Sequence, residues 1–458
     1  MEVSIASVEV IKPSSPTHHL KPYKLCIIDQ LIPVTYVSII LFYPIADPNV
    51  DISKTLTKLK ESLSETLNLY YPFSGRTKHN LYVDDFLAGV LFLEARVKCQ
   101  MSEFFKIEET ELQNQLVPSQ PFCPEKTSDV FPIAFQSNVF SCGGLALGVS
   151  MCHKNGDGAT LSNFLNSWAA CCSGSLEKVI NPNISMDAAA ILFPPMTSSL
   201  LHKYAPMVDR IWIKEGDYLT RRFVFSAEAL GTLKEMAKSE RVPNPSSYAA
   251  ISCFVWKHAM ESSWAASGSR RPSLATHAVN LRPRMQHYHG NNLLGGILGN
   301  LVFSATTKFD PNDHNLESST EVKLSELVEE QKGAIEVFNN DFLYEVMKGN
   351  KDGSSEILNK IELVSSMDLE KLDVFSFTNW KGFWNEVDFG FGKPFLRGTI
   401  GNVGTALRNL VIFVEADQWG EGSVEAIITF ENNIMALLES DHNFLAFTSP
   451  NPLINAAF

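Results

Sequence analysis

The sequence lacks the features that would assign it to a membrane, secreted or zinc-binding class. None of the apolar runs in its 458 residues approaches the roughly 20 residues that cross a bilayer. The stretch Met1–Val10, interrupted by Glu2 and Glu9, does not build the apolar core of a secretory signal. The eight cysteines include no C-x-x-C pair, and their scatter through apolar segments is typical of reduced thiols in a cytosolic protein. We therefore expect a cytoplasmic chain with no membrane partner.

Positive charge is also in short supply. The chain has 38 lysines and arginines against 51 aspartates and glutamates, so its net charge is −13 with histidine neutral. A nucleic acid or an anionic membrane would select a positive surface, so neither is expected as a partner, although a local basic pocket could still bind an anionic ligand. A hydrophobic content of 45% with 19% charged residues is ordinary for a globular protein and excludes general disorder.

Helical and strand-like hydrophobic patterns are mixed along the chain, which predicts an α/β or α+β fold. Apolar residues at three- and four-residue spacing predict a helix over Ile52–Tyr70, with Ser53 as its N-cap and Pro72 after its end. A second amphipathic face predicts a helix that starts at Ser246 or Ser247. Short apolar runs predict these strands: Val37–Tyr43, Leu145–Met151, Phe223–Phe225, Leu410–Val414 and Val424–Thr429.

Periodicity fades between Asn181 and Asp217, where prolines and polar residues interrupt the apolar ones. This stretch predicts a long crossover between two halves. Two Gly/Ser-rich charged segments, Ser262–Ser273 and Gly349–Ser355, are expected to be mobile surface loops. The predicted division is an N-terminal lobe, a crossover loop and a C-terminal lobe, at residues 1–195, 196–218 and 219–458.

One short segment carries the residue types of a catalytic centre. His153 follows the predicted strand Leu145–Met151, and Gly156, Asp157 and Gly158 follow it before an amphipathic helix. Imidazole is suited to general-base catalysis near neutral pH, and ligands often bind at such strand ends. His153 is the one histidine of the eleven with Asp at the fourth following position. The residues alone fit two interpretations equally: a catalytic base, or a strand-end histidine beside an Asp157 that only caps the helix.

A second histidine pattern, His287 and His289, forms an H-x-H. Cys, Asp and Glu are absent from its immediate neighbourhood in the sequence, so a pair of loop histidines is the preferred interpretation. We expect no metal.

Two widely separated signatures resemble those of the plant BAHD acyltransferases. His153–Gly158 is similar to the H-x-x-x-D-G motif of that family, and Asp388–Pro394 (DFGFGKP) to its D-F-G-W-G-K-P. Tyr71–Arg76 resembles the family's Y-P-x-A-G-R, and Asn280–Arg284 its N-x-R-x-R. The resemblance extends from about Pro13 to about Asp441, in the expected order, so the chain is identified as a member of this family.

Within the family, the sequence looks most similar to acetyltransferases of alkaloid and terpenoid pathways. Two positions depart from the common pattern: Phe391 replaces the usual Trp of the second signature, and Leu298–Asn300 lacks the aromatic residue that many members have before Gly-Asn. Four segments carry the closer likeness: Pro13–Pro16, Asp29–Leu31, Val279–Met285 and Ser376–Trp380.

The resemblance implies an α/β fold of two similar-sized lobes, each like chloramphenicol acetyltransferase, with mixed sheets, flanking helices and an active-site channel between them. It places His153 in mid-channel, with acyl-CoA entering from one face and the acceptor from the other. His153 would deprotonate the acceptor hydroxyl as it attacks the thioester, without an acyl-enzyme. The chain has no G-x-S-x-G nucleophile elbow. This absence agrees with direct transfer and argues against a serine hydrolase that uses His153 as its base.

The resemblance also implies roles around the reacting atoms. Thr378 and Trp380 match a segment in which relatives place donors for the oxyanion, with core packing as the alternative for Trp380. Asp157, which precedes Gly158, is expected to form an ion pair with Arg282 and to hold the loop that carries His153. It is not expected to act as a charge-relay partner of that histidine.

The second signature is expected to lie away from the chemistry. Asp388, Gly390 and Gly392 would form a glycine-dependent turn that supports the wall on the CoA side. Lys393 would reach CoA phosphates, or would simply be solvated. Lys154 is expected to point to solvent, as most lysines do.

The function that these observations predict is an acyl-CoA-dependent O-acyltransferase, which is expected to be monomeric. We expect transfer of acetyl from acetyl-CoA, a co-substrate rather than a bound cofactor, to a hydroxyl of a bulky, largely apolar alkaloid or terpenoid. The alternatives are a malonyl- or aromatic-CoA donor, or a non-catalytic relative that binds small molecules. The sequence does not name the acceptor.

Overall fold

Two mixed β-sheets organise the chain. The computed structural model describes residues 2–45, 50–107, 110–125, 130–180, 186–289, 296–312, 321–347, 353–399, 401, 403 and 408–453. The strands are β1 Val3–Ile11, β2 Tyr23–Lys24, β3 Tyr36–Tyr43, β4 Arg76–Lys78, β5 Tyr82–Asp84, β6 Val90–Val97, β7 Ile133–Phe140, β8 Leu145–Cys152, β9 Tyr218–Phe225, β10 Ser273–Asn280, β11 Val302–Phe309, β12 Asp373–Asn379, β13 Leu396–Thr399, β14 Leu410–Glu415, β15 Val424–Glu431 and β16 Ser449–Pro450. All five strands expected from the sequence are confirmed, several with one or more extra residues.

The first sheet has the order β1-β6-β7-β8-β3-β13, and the second has the order β11-β10-β12-β14-β15-β9-β16. The pairs β6/β7, β10/β12 and β12/β14 are parallel and the other pairs in these two sheets are antiparallel. A small sheet, β2-β5-β4, lies beside them. The prediction of a two-lobed α/β fold with mixed sheets is confirmed. Strand β13 comes from the C-terminal part of the chain yet pairs with β3, so the two parts interlock.

Helices flank both sheets. They are α1 Ile27–Leu31, α2 Ile52–Leu69, α3 Met101–Phe104, α4 Gly158–Ser173, α5 Ala188–Leu192, α6 Ser198–Trp212, α7 Ala227–Met236, α8 Ser247–Ser267, α9 Arg282–His289, α10 Leu324–Glu336, α11 Asn340–Met347, α12 Gly353–Ser365, α13 Asn432–Leu438 and α14 His442–Leu445. Within the described residues, none of them combines the length and the apolar character needed to cross a bilayer.

The two strongly periodic helices form where the sequence predicts them. Helix α2 buries its apolar face in the core of the first sheet, but its N-cap is Asp51 rather than Ser53. The Asp51 carboxylate accepts hydrogen bonds from the amides of Ser53 and Lys54, so it satisfies two donors that the first helical turn leaves unpaired. Helix α8 begins after the N-cap Ser246, one of the two start positions expected.

The crossover is not a loop, which corrects the prediction for residues 196–218. Most of it is helix α6, which Thr197 caps and which contains Pro206. Tyr204, Val208 and Ile211 lie at helical spacing and are buried, so packing stabilises the helix despite the proline.

Both predicted mobile loops are also partly helical. Ser262–Ser267 completes α8, and Gly353–Ser355 begins α12; residues 349–352 lie outside the described part of the chain. His287 and His289 belong to the helix α9 rather than to a loop. Composition alone gave the wrong prediction because small polar residues also occur within packed helices: Ser262 and Ser263 are buried, and only the last residues of α8 are exposed.

Candidate active site

A cavity of about 370 Å³ opens between elements from both parts of the chain. His153 lies in its wall. Strands β10, β11 and β12 contribute one side and helices α1, α6 and α12 contribute another. Most of the lining is apolar, and its hydroxyl-bearing members are Thr35, Thr276, Ser304, Thr306, Ser376 and Thr378.

Backbone contacts hold His153 at the end of β8. It begins a single 3₁₀ turn, His153–Asn155, and its amide donates to the carbonyl of Thr35 at 2.9 Å. Its own carbonyl accepts from the side-chain amide of Asn300 at 2.8 Å. The peptide groups on both sides of the imidazole are therefore fixed to other segments of the chain, so the ring leaves the backbone in a defined direction.

Burial sets the protonation of the His153 imidazole. Its Nδ1 is buried, while the residue as a whole keeps some exposure and lines the cavity. Burial lowers the pKa of His153 below its usual range, and its own backbone carbonyl and the charge of Asp157 oppose this shift. At neutral pH the ring is therefore uncharged and can accept a proton.

Asp157 forms a buried ion pair with Arg282. Its Oδ2 lies 2.6 Å from the Arg282 Nη1, and the two side chains are 3% and 6% exposed. The same carboxylate accepts a hydrogen bond from the amide of Thr160, and Asp157 thereby caps α4. It also accepts from the amide of Leu301. Burial alone would raise the pKa of Asp157, but the charge and hydrogen bonds of Arg282 hold it below its usual range. Asp157 therefore remains ionised and ties the turn to a distant segment.

Arg282 completes this network at the start of α9. Its Nη2 donates to the Oγ1 of Thr160 and to the carbonyls of Ile297 and Gly299. Gly158, the first residue of α4, lies against Phe383, since a Cβ atom there would come 2.8 Å from that ring. The position therefore admits only glycine without displacing a ring that also lines the cavity.

Thr378 and Trp380 lie at the end of β12 and both line the cavity with His153. Thr378 is half-buried. Trp380 is buried, lies nearly parallel to Phe122 with the rings 6.4 Å apart, and contacts Trp384 edge-on. Trp380 thus belongs both to the cavity wall and to the core of the first lobe.

The second signature forms a turn outside the cavity lining. The Oδ1 of Asp388 accepts from the amides of Gly390 and Gly392, both of which adopt a φ of +101°. Phe391, the residue that replaces Trp, packs edge-on against Tyr43 with ring centroids 5.0 Å apart. The adjacent Phe389 packs against Trp168 of α4, so the turn supports the helix that follows the catalytic segment.

The two lysines considered at the sequence level differ in their surroundings. Lys393 is exposed and forms an ion pair with Glu386 at 2.7 Å. Lys154 is 5% exposed, so the expectation that it points to solvent is wrong. Its ammonium donates to the carbonyl of Gln30 at 2.9 Å, and burial lowers its pKa to about 8. A position in the turn His153–Asn155 overrides the usual preference of lysine for water.

Sequence reasoning did not assign a role to Asn300, Thr160 or Asp29, which contact the catalytic turn or its partners. Asn300 stands in the Leu298–Asn300 segment, and Asp29 in a segment that carries the family resemblance, but neither pattern showed what the side chain contacts. Among the described residues, no group of three His, Cys, Asp or Glu side chains is arranged to hold a metal ion.

The whole chain is similar in sequence to known proteins. Residues 1–445 match a family model described as the Transferase family. The chain is 35% identical to akuammiline synthase 2 of Alstonia scholaris over 460 residues, which cover 99% of this chain and 98% of that protein. It is 34% identical to an epi-neemfruitin B 7-O-acetyltransferase of Melia azedarach over 478 residues, which cover 99% of each.

Solved structures show the same fold. The crystal structure of vinorine synthase superposes with a TM-score of 0.78 at 29% identity, covering 98% of this chain and 99% of that one. TRI101 of F. graminearum, in complex with coenzyme A and T-2 mycotoxin, superposes with a TM-score of 0.67 at 16% identity, covering 94% and 100%.

Proposed function

The chain belongs to the BAHD acyltransferase family, and from this premise we propose that it transfers an acetyl group from acetyl-CoA to a hydroxyl of an alkaloid or terpenoid, with His153 as general base. That the protein is an acyltransferase follows from its family. The observation that carries the proposed role of His153 is its position in the wall of a largely apolar cavity, and the lowered pKa of its imidazole supports that role.

In the proposed reaction the acceptor hydroxyl donates its proton to the Nε2 of His153 as its oxygen attacks the thioester carbonyl. The tetrahedral intermediate then collapses, the C–S bond breaks, and the imidazolium returns a proton to the leaving thiolate. The two substrates react within one ternary complex, so the protein contributes mainly position and electrostatics. The network around Asp157 and Arg282 supports the turn and takes no part in the proton transfer.

Thr378 and Trp380 are the proposed donors to the oxyanion. A hydroxyl and an indole N–H at the end of β12, on the lining that includes His153, can stabilise negative charge as it develops on the carbonyl oxygen. The contacts of Trp380 with Phe122 and Trp384 support this proposal, because they would hold the indole in one orientation.

The shape and chemistry of the cavity support a bulky, largely apolar acceptor. Its volume of about 370 Å³ lies in the range of small-molecule sites, and its walls are mostly aliphatic and aromatic. Two relatives are named for O-acetylation, one of epi-neemfruitin B and one of limonoids, and these names support an acceptor of the proposed class.

Acetyl is the proposed acyl group for two reasons. The first is that several relatives are named acetyltransferases. A structural neighbour solved with coenzyme A supports a CoA ester as the donor in general. The second reason is the charge of the alternative donor. A malonyl group would bring a carboxylate into the cavity and would need a cation there. Among the described lining residues Lys360 is the one lysine or arginine, and its ammonium already lies 4.1 Å from the ring centroid of Phe338.

A competition assay tests the donor. Acetyl-, malonyl- and hydroxycinnamoyl-CoA at equal concentration would be incubated with the enzyme and a panel of alkaloid and terpenoid alcohols, and the products would be separated by mass spectrometry. We expect acetyl esters as the main products. A malonyl or aromatic ester as the main product with the preferred acceptor would contradict the proposal, and acceptor binding without any ester would favour a non-catalytic relative.

The base is tested by His153→Ala, which should lower kcat by about 10²–10⁴-fold while acyl-CoA binding stays within twofold. His258→Gln is the control, because His258 is a buried histidine that contacts Asp441 and does not line the cavity. Near-normal turnover in a folded His153→Ala protein would refute the mechanism.

Lys393 remains the proposed contact to CoA phosphates. Its position on the surface, beside the turn of the second signature, leaves its ammonium accessible. Lys393→Ala should raise the KM for acyl-CoA and leave kcat unchanged, whereas Glu386→Gln, which removes the charge of its partner, should not raise that KM. We also propose that the enzyme is cytoplasmic, which its eight free cysteines support. We further propose that it is a monomer, and light scattering after gel filtration tests its mass.

A further inference from the structure

Helix α1 is joined to the catalytic turn through a buried carboxylate. Asp29, with 0% of its surface exposed, accepts hydrogen bonds at Oδ1 from both the backbone and the side-chain amide of Asn300, each at 2.8 Å. Its Oδ2 accepts from the amide of Cys26 at 2.9 Å. The same side-chain amide of Asn300 donates to the carbonyl of His153 at 2.8 Å. A continuous chain of short contacts therefore runs from Asp29 to the backbone of His153.

A second contact joins the same two segments. Lys154, the residue after His153, donates from its buried ammonium to the carbonyl of Gln30, the residue after Asp29. Ile28 and Leu31 of the same short helix line the cavity that contains His153. Helix α1 therefore contacts the catalytic turn through its polar groups and the cavity through its apolar side chains.

We propose that Asp29 is a positioning residue for acyl transfer: it orients Asn300, which holds the His153 carbonyl and thereby directs the imidazole into the cavity. The proposal rests on the proposed function, since it assumes that His153 is the base. Asp29 does not line the cavity and is not proposed to touch either substrate.

The chemistry of the site explains why a carboxylate stands there. Three N–H groups converge on the two oxygens of Asp29, and only a carboxylate offers an acceptor on each side. An asparagine would turn an N–H toward either Cys26 or Asn300, both of which already donate. Burial raises the pKa of Asp29 to about 6, and the hydrogen bonds from Asn300 and Cys26 limit that rise. The carboxylate is therefore ionised at neutral pH even though it is fully buried.

Asp29→Asn tests the proposal with little change in volume. We expect kcat to fall about ten- to a hundredfold, because a small displacement of a catalytic group is enough for such a loss, while the KM for acyl-CoA stays within twofold. Asp373→Asn is the matched control. Asp373 is also buried and accepts from Ser263 at 2.6 Å, but it lies five residues before Thr378 on β12 and does not line the cavity. It should alter the melting temperature with kcat unchanged.

A double-mutant cycle separates positioning from a general loss of structure. If Asp29 acts through Asn300, Asn300→Ala should lower kcat to a similar extent, and adding Asp29→Asn to it should lower kcat by less than twofold more. The proposal would be overturned if the loss of kcat in the double variant equalled the product of the two single losses. An unchanged kcat in a folded Asp29→Asn protein would also overturn it.

His153→Ala distinguishes the two possible failures. If His153→Ala abolishes turnover and Asp29→Asn does not reduce it, only the positioning role is refuted. If His153→Ala retains turnover, the proposed function itself is wrong, and a kcat loss in Asp29→Asn would then have to arise elsewhere.

Discussion

Replacing Asp157 by alanine should remove two separate contributions to the stability of the folded chain. The first is the cap of α4, where Oδ1 accepts from the amide of Thr160; losing such a cap costs about 1 kcal/mol. The second is the ion pair with Arg282, whose loss leaves a buried guanidinium without its counter-charge and costs about 3–5 kcal/mol. The free energy of unfolding should therefore fall by about 4–6 kcal/mol, a large share of the total for an ordinary protein.

Asp51→Ala is the control that isolates the ion pair. Asp51 caps α2 through the same kind of contact but is exposed and has only a loose pairing with Lys54, at 3.6 Å. Its replacement should cost about 1 kcal/mol. The difference between the two variants measures what the contact with Arg282 contributes.

Arg282→Ala should destabilise the chain by a similar amount, because it leaves the buried Asp157 carboxylate without its counter-charge and removes the hydrogen bond that Arg282 donates to the carbonyl of Ile297. The double variant carries neither charge, so it should lose about 2–3 kcal/mol less than the sum of the single losses. Denaturant unfolding, followed by tryptophan fluorescence, would measure the free energy of unfolding of the four variants against the wild type. The variants are Asp157→Ala, Asp51→Ala, Arg282→Ala and the double variant of Asp157 and Arg282. Where a variant is insoluble, Asp157→Asn keeps an acceptor for the α4 cap and removes only the charge.

Two results would refute this reasoning. Additive losses in the double variant would mean that the two residues do not act as one unit. A stable Asp157→Asn protein with a shifted pH–rate profile would mean that Asp157 tunes the imidazole of His153 instead of supporting the turn.

Four further predictions follow from the site. The acid limb of kcat/KM should inflect below pH 6.5, because burial lowers the pKa of His153; an inflection above 6.5 would contradict its neutral state. Thr378→Val should lower kcat by about 10²-fold with little change in the KM for acyl-CoA, and an unchanged kcat would exclude it as an oxyanion donor. Phe391→Trp should change the free energy of unfolding by no more than about 2 kcal/mol and leave acceptor preference unaltered, whereas a switch of acceptor would place the second signature nearer the cavity. Folding lowers the pKa of Lys154 from 10.5 to about 8, so the unfolded state binds more protons between these values. The stability of the wild type relative to Lys154→Met should therefore rise from pH 8 to 10.5, and a flat or falling difference would show that folding does not lower this pKa.

The sequence alone determined the elements whose signals are local. Helix α2 follows from leucines at three- and four-residue spacing, and the strand ending before His153 follows from an apolar run that a glycine-containing turn stops. Such patterns suffice because the spacing of side chains on a helix or strand is set by backbone geometry. The paired signatures at residues 153–158 and 388–394 were also readable, since each occupies a few consecutive positions.

Only the tertiary structure decided the contacts that join distant segments. Asn300 reaches the carbonyl of His153 across 147 positions of the chain, and the charge of Lys154 is buried because Gln30 happens to lie beside it. Helix α6 forms inside a proline-containing stretch because Tyr204 and its neighbours on the helix pack into a buried apolar cluster. Burial and hydrogen bonding depend on what the rest of the chain places nearby, and for that reason local sequence patterns singled out His153 as the candidate base but not the residues that contact its backbone.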